Sequence, residues 1–217
     1  MSRPPDITTL AILKGAFRSI TNEMSHVVLR TARTPVFKLA KDFSCTLCDW
    51  EARQIGQGEA ELPVQVGSIQ FICKAVADAY AGDVGPGDLF LCNDPELGGI
   101  HLNDVGLLRP IFYRDELLFW AVTRGHWLDI GGPVPSDLVK AQSDSHGEGI
   151  RIPPTRVHQA GKPVPDMMRL IFANIRFPER QKSDMLALTA AADIAAKRLL
   201  ALVGKYGVDT VKNGIET

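Results

Sequence analysis

The first thirty residues repeat an apolar side chain every three or four positions. Leu10, Leu13, Phe17, Ile20, Met24 and Val27 fall on one stripe, which predicts an amphipathic helix needing a partner surface. Thr8 or Thr9 is placed to cap it. Residues 42–50 alternate instead, with Phe43, Cys45 and Leu47 on one side of a strand, and a Gly56-Gln57-Gly58 turn follows. Helical spacing returns at Ile69, Ile72, Cys73, Val76 and Tyr80 and stops at Gly82. A Gly/Pro turn at 84–88 leads into a short buried strand, Leu89-Phe90-Leu91-Cys92. Apolar runs at 105–112 and 117–123 flank the polar Tyr113-Arg114-Asp115-Glu116, which predicts a β-hairpin. With no glycine for a two-residue turn, a four-residue loop is expected. Residues 131–165 are rich in Gly, Pro and Ser and read as an irregular tract, a length of loop often given over to function. Helices are expected at 166–174 and 183–206, the second capped by Ser183 with Asp184 favouring its dipole, and stopped by Gly207. The pattern is that of a single α+β domain over residues 1–217. Its sheet, mixed or antiparallel, carries the hairpin and is packed by N- and C-terminal helices.

Composition narrows the partners. Hydrophobic residues make up 45% of the 217 and charged residues 23%, ordinary globular values. Twenty-four basic against 25 acidic residues, a net charge of −1, argue against a nucleic-acid partner bound by phosphate neutralisation. No apolar run approaches the roughly 18 residues that span a bilayer, so no membrane association is expected. The N-terminal residues show no secretory pattern, and a cytoplasmic location is expected. Cys45 and Cys48 are spaced as in a zinc or redox motif, but Cys73 and Cys92 do not form a second pair. Residues three apart on a strand face opposite ways, which favours small buried hydrophobes over a ligand pair. Neither phosphate-cradling glycine motif, G-x-x-x-x-G-K-[ST] or G-x-G-x-x-G after a strand, is present.

Two runs combine histidine, carboxylate and glycine: residues 93–104 and 124–132. The hairpin relates them. A turn centred between Arg114 and Asp115 makes paired residue numbers sum to about 229, which sets Asp104 opposite Gly125 and Asn103 opposite His126. His101, Asp104 and His126 then gather at the open end of the hairpin. Two imidazoles and one carboxylate suit a divalent transition metal with positions left for water or substrate. Asp129 would be a further ligand or would orient a histidine. The competing reading is a histidine pair hydrogen-bonded at a sheet edge. His26 and His158 read as surface or packing residues.

The same residues fall within words of a known family. These are Asp42-Phe43-Ser44-Cys45, Pro86-Gly87-Asp88, Asn93-Asp94-Pro95, Gly98-Gly99-x-His101-Leu102-x-Asp104, Arg124-Gly125-His126-x-x-Asp129-Ile130-Gly131-Gly132, Glu148-Gly149-x-x-Ile152-Pro153-Pro154 and Asn174-x-Arg176-x-Pro178. In this order, from about residue 10 to 210, the chain resembles the hydantoinase B/oxoprolinase family. That family includes the B-type subunits of ATP-dependent hydantoinases, 5-oxoprolinases and the related acetone and acetophenone carboxylases. The resemblance implies a manganese, zinc or iron site on His101, Asp104 and His126. It also implies a hydantoinase A-type partner that uses the ATP and activates a small-molecule substrate.

The function expected on that basis is the metal-binding catalytic subunit of a cyclic-amide hydrolase. A ketone carboxylase subunit and a non-catalytic structural subunit are the alternatives. His146 and Glu148, in a glycine-bearing loop, are candidates for proton transfer, against a simple solvated turn. Asp42, Asn93 and Asp94 are candidates for orienting ligands, although Asp94 before Pro95 is equally a turn former. Two departures stand out. Trp127 occupies the position of a second family histidine. The chain is also less than half the usual family length and matches its N-terminal half, so a separate chain supplying the C-terminal half is a further expected partner.

Overall fold

A computed structural model describes residues 5–59, 62–135 and 144–217. The N-terminal residues 1–4 and residues 136–143 of the expected irregular tract lie outside it. Helix α1 (Ile7–Thr31) buries Leu13, Phe17, Ile20, Met24 and Val28. Its cap is Asp6 rather than Thr8 or Thr9: the Asp6 carboxylate accepts from the Thr9 amide at 2.8 Å. A single π turn at Val36–Ala40 ends on Lys41 in the left-handed region (φ 55°) and delivers Asp42 to the sheet.

Seven strands follow: β1 (Phe43–Asp49), β2 (Gln54–Gln57), β3 (Leu89–Cys92), β4 (Asp104–Tyr113), β5 (Glu116–His126), β6 (Thr155–Gln159) and β7 (Lys162–Pro163). They form one sheet in the order β2-β1-β5-β4-β3-β6-β7, every pair antiparallel. The expected Gly56-Gln57-Gly58 turn is therefore largely strand β2. Gly56 lets α1 pack closely there: a Cβ would lie 3.3 Å from the Phe17 Cβ. Helices α1 and α4 (Pro178–Tyr206) cover one face and α2 (Pro63–Ala79) the other, with α3 (Pro165–Ala173) and α5 (Val208–Glu216) beside them. The α1/α4 side holds the larger core, and a smaller cluster around Ile72, Phe90 and Trp120 lies under α2. The α+β class is borne out, with a wholly antiparallel sheet among the described residues. Cys45 belongs to the first core and Cys48 to the second, so the two thiols diverge, and all four cysteines are buried and outside any disulfide among the described residues. No helix among the described residues is long and apolar enough to cross a membrane.

Three expectations are corrected. The hairpin loop has two residues, because Arg114 itself adopts the left-handed conformation (φ 58°) that glycine was expected to supply. Pairing begins at Tyr113↔Glu116 and Phe112↔Leu117, then jumps to Ile111↔Phe119, leaving Leu118 as a bulge. Leu118 and Phe119 accordingly enter the same core although they are neighbours. From there the partner numbers sum to one more than expected, and Asp104 pairs with His126 rather than Gly125. Helix α4 starts at Pro178, so Ser183 is inside it, donating to the Glu179 carbonyl at 3.0 Å. Buried Asp184 accepts from the Arg33 amide at 2.9 Å and the Thr34 hydroxyl at 2.5 Å, fastening the end of α1 to α4. Finally, the tract expected to be irregular contains β6 and β7; Asp88 accepts from the Ala160 amide at 3.0 Å and holds their turn against the sheet.

Candidate metal centre

The bulge decides the site. Directly opposed residues of an antiparallel pair share a face, and a slip of one residue sends a side chain to the other face. With the expected register His126 would have faced away from Asp104. With Leu118 inserted, both lie on the α2 face of the sheet, alongside Gly106, Val122 and Trp120.

His101 comes from the loop between β3 and β4. Asn93 organises that loop: its amide donates to the Leu102 carbonyl (2.6 Å) and the Ile150 carbonyl (3.0 Å), and its oxygen accepts from the Ile152 amide (2.6 Å). Gly99 is required by close approach, since a Cβ would sit 2.6 Å from the Asn93 carbonyl.

The three expected ligands come together. His101 Nε2 lies 3.2 Å from Asp104 Oδ2, and His126 Nδ1 lies 3.3 Å from Asp104 Oδ1. The imidazole centroids are 5.0 Å apart, and one ligand atom from each residue falls within 4.8 Å of the others. Among the described residues this is the group of acids, histidines and cysteines that could hold an ion. His101 is the outermost, with 30% of its side chain exposed against 4% for Asp104. Burial pushes the Asp104 carboxyl up, but the two imidazoles outweigh it and hold its pKa at about 2. Asp104 Oδ1 is buried, and no donor is aligned on it as a hydrogen bond; the His126 nitrogen is in ion-pair range only. A buried carboxylate oxygen without a donor is costly. Two imidazole nitrogens beside it are the donor set a divalent transition ion takes, so these residues fit such a group.

The surroundings of the site are ordered. Asp42 Oδ2 lies 3.7 Å from His126 Nδ1, its backbone carbonyl accepts from the His126 amide at 3.0 Å, and the Gln65 side chain donates to its other oxygen. Asp94 accepts from the Glu96 amide (3.0 Å) and pairs with Arg151 (2.7 Å), the turn former's role. Arg124, to which no role was given, is fully buried. Its guanidinium donates to Ser68 Oγ (2.6 Å), the Gln65 carbonyl (3.2 Å) and the Gly98 carbonyl (3.0 Å), and burial pulls its pKa down to about 10. The signal was the apolar alternation of β5, Trp120 and Val122, continued by a cation.

Asp129, His146 and Glu148 are not in this group. Asp129 is fully buried and accepts from the Gly131 amide (3.1 Å), from Arg176 Nη1 (2.8 Å) and from the Arg176 amide. Arg176 also donates to the Gly131 and Gly132 carbonyls. His146 and Glu148 are exposed. His146 lines a cavity of about 580 Å³ together with Arg176 and the 130–132 segment. Trp127 is buried in the α1/α4 core, its ring stacked on Phe172 at 6.1 Å.

A family model described as hydantoinase B/oxoprolinase matches residues 6–217. Caprolactamase subunit beta of Pseudomonas jessenii is 36% identical over 207 residues, 95% of this chain and 36% of that one. A 5-oxoprolinase of Dictyostelium discoideum is 28% identical over 206 residues, 95% of this chain and 16% of that one. The crystal structure of ATP-dependent caprolactamase from Pseudomonas jessenii superposes with a TM-score of 0.92 at 35% identity, covering 99% of this chain and 37% of that one. A nucleotide-free acetone carboxylase gives a TM-score of 0.89 at 18% identity, over 96% of this chain and 28% of the other, which is a likeness of fold. The chain thus spans about a third of the length of the caprolactamase subunit.

Proposed function

The chain belongs to the hydantoinase B/oxoprolinase family, and from that premise we propose that it carries the metal centre of an ATP-dependent cyclic-amide hydrolase. His101, Asp104 and His126 hold the ion, and a separate hydantoinase A-type subunit uses the ATP. The observation that carries this reading is the buried Asp104 oxygen with no hydrogen-bond donor, set between two imidazoles. A bound divalent ion would supply Lewis-acid stabilisation of the charge that develops on the opening amide.

The chain's own residues prepare that role. Asp104 stays ionised because both imidazoles favour its charge. Asp42 fixes the position of His126 through backbone and side chain. His101, the exposed member, marks the side from which an activated substrate arrives. His146 and Glu148, both facing solvent, are the candidate proton carriers, and Asp129 shapes the loop behind them. Greater identity to a caprolactamase than to a carboxylase favours hydrolysis.

Elemental analysis of the purified protein tests the centre. About one manganese, zinc or iron per chain is expected, and none in His101→Ala or His126→Ala. A metal-free wild type that also takes up none of these ions would defeat the reading in favour of a structural subunit. Reconstitution with an A-type partner then separates ATP-dependent lactam opening, the expected outcome, from bicarbonate-dependent ketone consumption.

A further inference from the structure

Arg124 is an unusual residue to bury completely. Taking a guanidinium out of water is costly unless its donors are met. The buried Nε has no acceptor, but the two terminal nitrogens make three donations, and each lands on an element that shapes the metal centre. The Gly98 carbonyl belongs to the glycine pair that begins the His101 loop. Gly98 has φ 98°, and a Cβ there would strike Phe71 of α2, so the loop is pressed onto that helix. The Ser68 hydroxyl and the Gln65 carbonyl belong to α2 itself. Gln65 in turn holds Asp42, which flanks His126. Arg124 sits two residues before His126 on the same face of β5, so its own position is fixed by the strand that carries one ligand.

We propose that Arg124 is the positioning residue of the centre: its planar fork ties the His101 loop and α2 to strand β5, and so sets the separation of the two imidazoles. The proposal rests on the metal reading above and goes beyond it in naming what holds the site in shape. A lysine could keep the charge but not three divergent donations from one rigid plane. Groups that orient ligands without touching the ion typically affect metal affinity by about 10- to 100-fold.

The test is titration of the metal-free protein with Mn²⁺ alone, followed by calorimetry and by the electron paramagnetic resonance spectrum of the bound ion. Circular dichroism and the thermal midpoint report the fold. In Arg124→Lys, a folded protein is expected to bind Mn²⁺ between about 10- and 100-fold more weakly, with an altered spectrum. Ser68→Ala, a milder change that removes the 2.6 Å contact along with the hydroxyl's longer one to the Gln65 carbonyl, is expected to weaken binding about three- to tenfold at a near-native midpoint. A merely structural arginine would shift the midpoint and leave both affinity and spectrum alone. Wild-type affinity and spectrum in either folded variant would overturn the assignment while leaving the metal reading intact. A wild type that binds no Mn²⁺, Zn²⁺ or Fe²⁺ would overturn both.

Discussion

Asp104 and Asp129 are both buried carboxylates of the glycine-rich words, and they sit in opposite situations. Asp129 has three N–H donors, one of them a guanidinium, all from a single knot that joins residues 129–132 to Arg176. Asp104 has two imidazoles in ion-pair range and one oxygen that no donor satisfies. The glycines differ in the same sense. A Cβ on Gly132 (φ 72°) would meet the Glu148 carbonyl at 2.5 Å, backbone that cannot give way, whereas one on Gly125 beside His126 would meet the ring of Phe37. Both regions are dense in glycine and carboxylate, yet of these two carboxylates only Asp104 leaves an oxygen without a donor. Saturation marks a carboxylate that holds the chain together; an unmet oxygen marks one reserved for something else.

The largest expected effect breaks the saturated side. Asp129→Ala leaves the Arg176 and Gly131 amides and a guanidinium without their acceptor. A loss of about 3–5 kcal/mol is expected, a fall in thermal midpoint on the order of 10 °C for a chain this size. Mn²⁺ affinity of the fraction that remains folded should be unchanged. A tenfold weaker affinity would mean the two regions are one site.

The next effect comes from the unsaturated side. A ligand that binds only the folded state at a hundred times its dissociation constant adds about 2.7 kcal/mol of stability. The thermal midpoint of the wild type is therefore expected to rise by several degrees with excess Mn²⁺ or Zn²⁺ and to fall back on chelation. Asp104→Asn should show neither change. Equal responses in wild type and variant would remove Asp104 from the ligand set.

The contrast also explains what could be read from the residues alone. Helical stripes and the hairpin were legible because their apolar periods are long and clear: Leu10 to Val27, and residues 105–123 around a polar tip. The candidate trio was legible because it needs only residue types and an approximate fold-back. The register was not. Leu117-Leu118-Phe119-Trp120 is apolar without a break, so nothing in it shows that Leu118 and Phe119 face the same core. The expected trio does come together although its pairing was off by one, and the bulge is what brings Asp104 and His126 to one face. Ser183 misled for a related reason, because serine caps helices and also sits inside them bonded to the preceding turn. Arg176 lies 47 residues from Asp129, and Gly98, Ser68 and Gln65 lie 26, 56 and 59 residues from Arg124, and no local pattern reports contacts at that range.

Trp127 gives the smallest effect and settles which region it belongs to. It follows His126 directly, yet its ring stacks on Phe172 in the opposite core. Its backbone is held by Asn103, whose carbonyl accepts from the Trp127 amide at 2.8 Å and whose side-chain amide donates to the Trp127 carbonyl at 2.7 Å. The indole N–H is buried with no acceptor. Trp127→Phe keeps the stack and removes that unmet donor, a gain of about 1–3 kcal/mol. It also leaves a void whose cost is on the order of 1 kcal/mol and more where the core cannot relax. The two nearly cancel, so stability should stay within about 1 kcal/mol by urea denaturation. Mn²⁺ affinity should stay within about twofold, because the ring lies across the sheet from the imidazoles. A tenfold change in affinity at unchanged stability would place the indole among the groups that shape the centre.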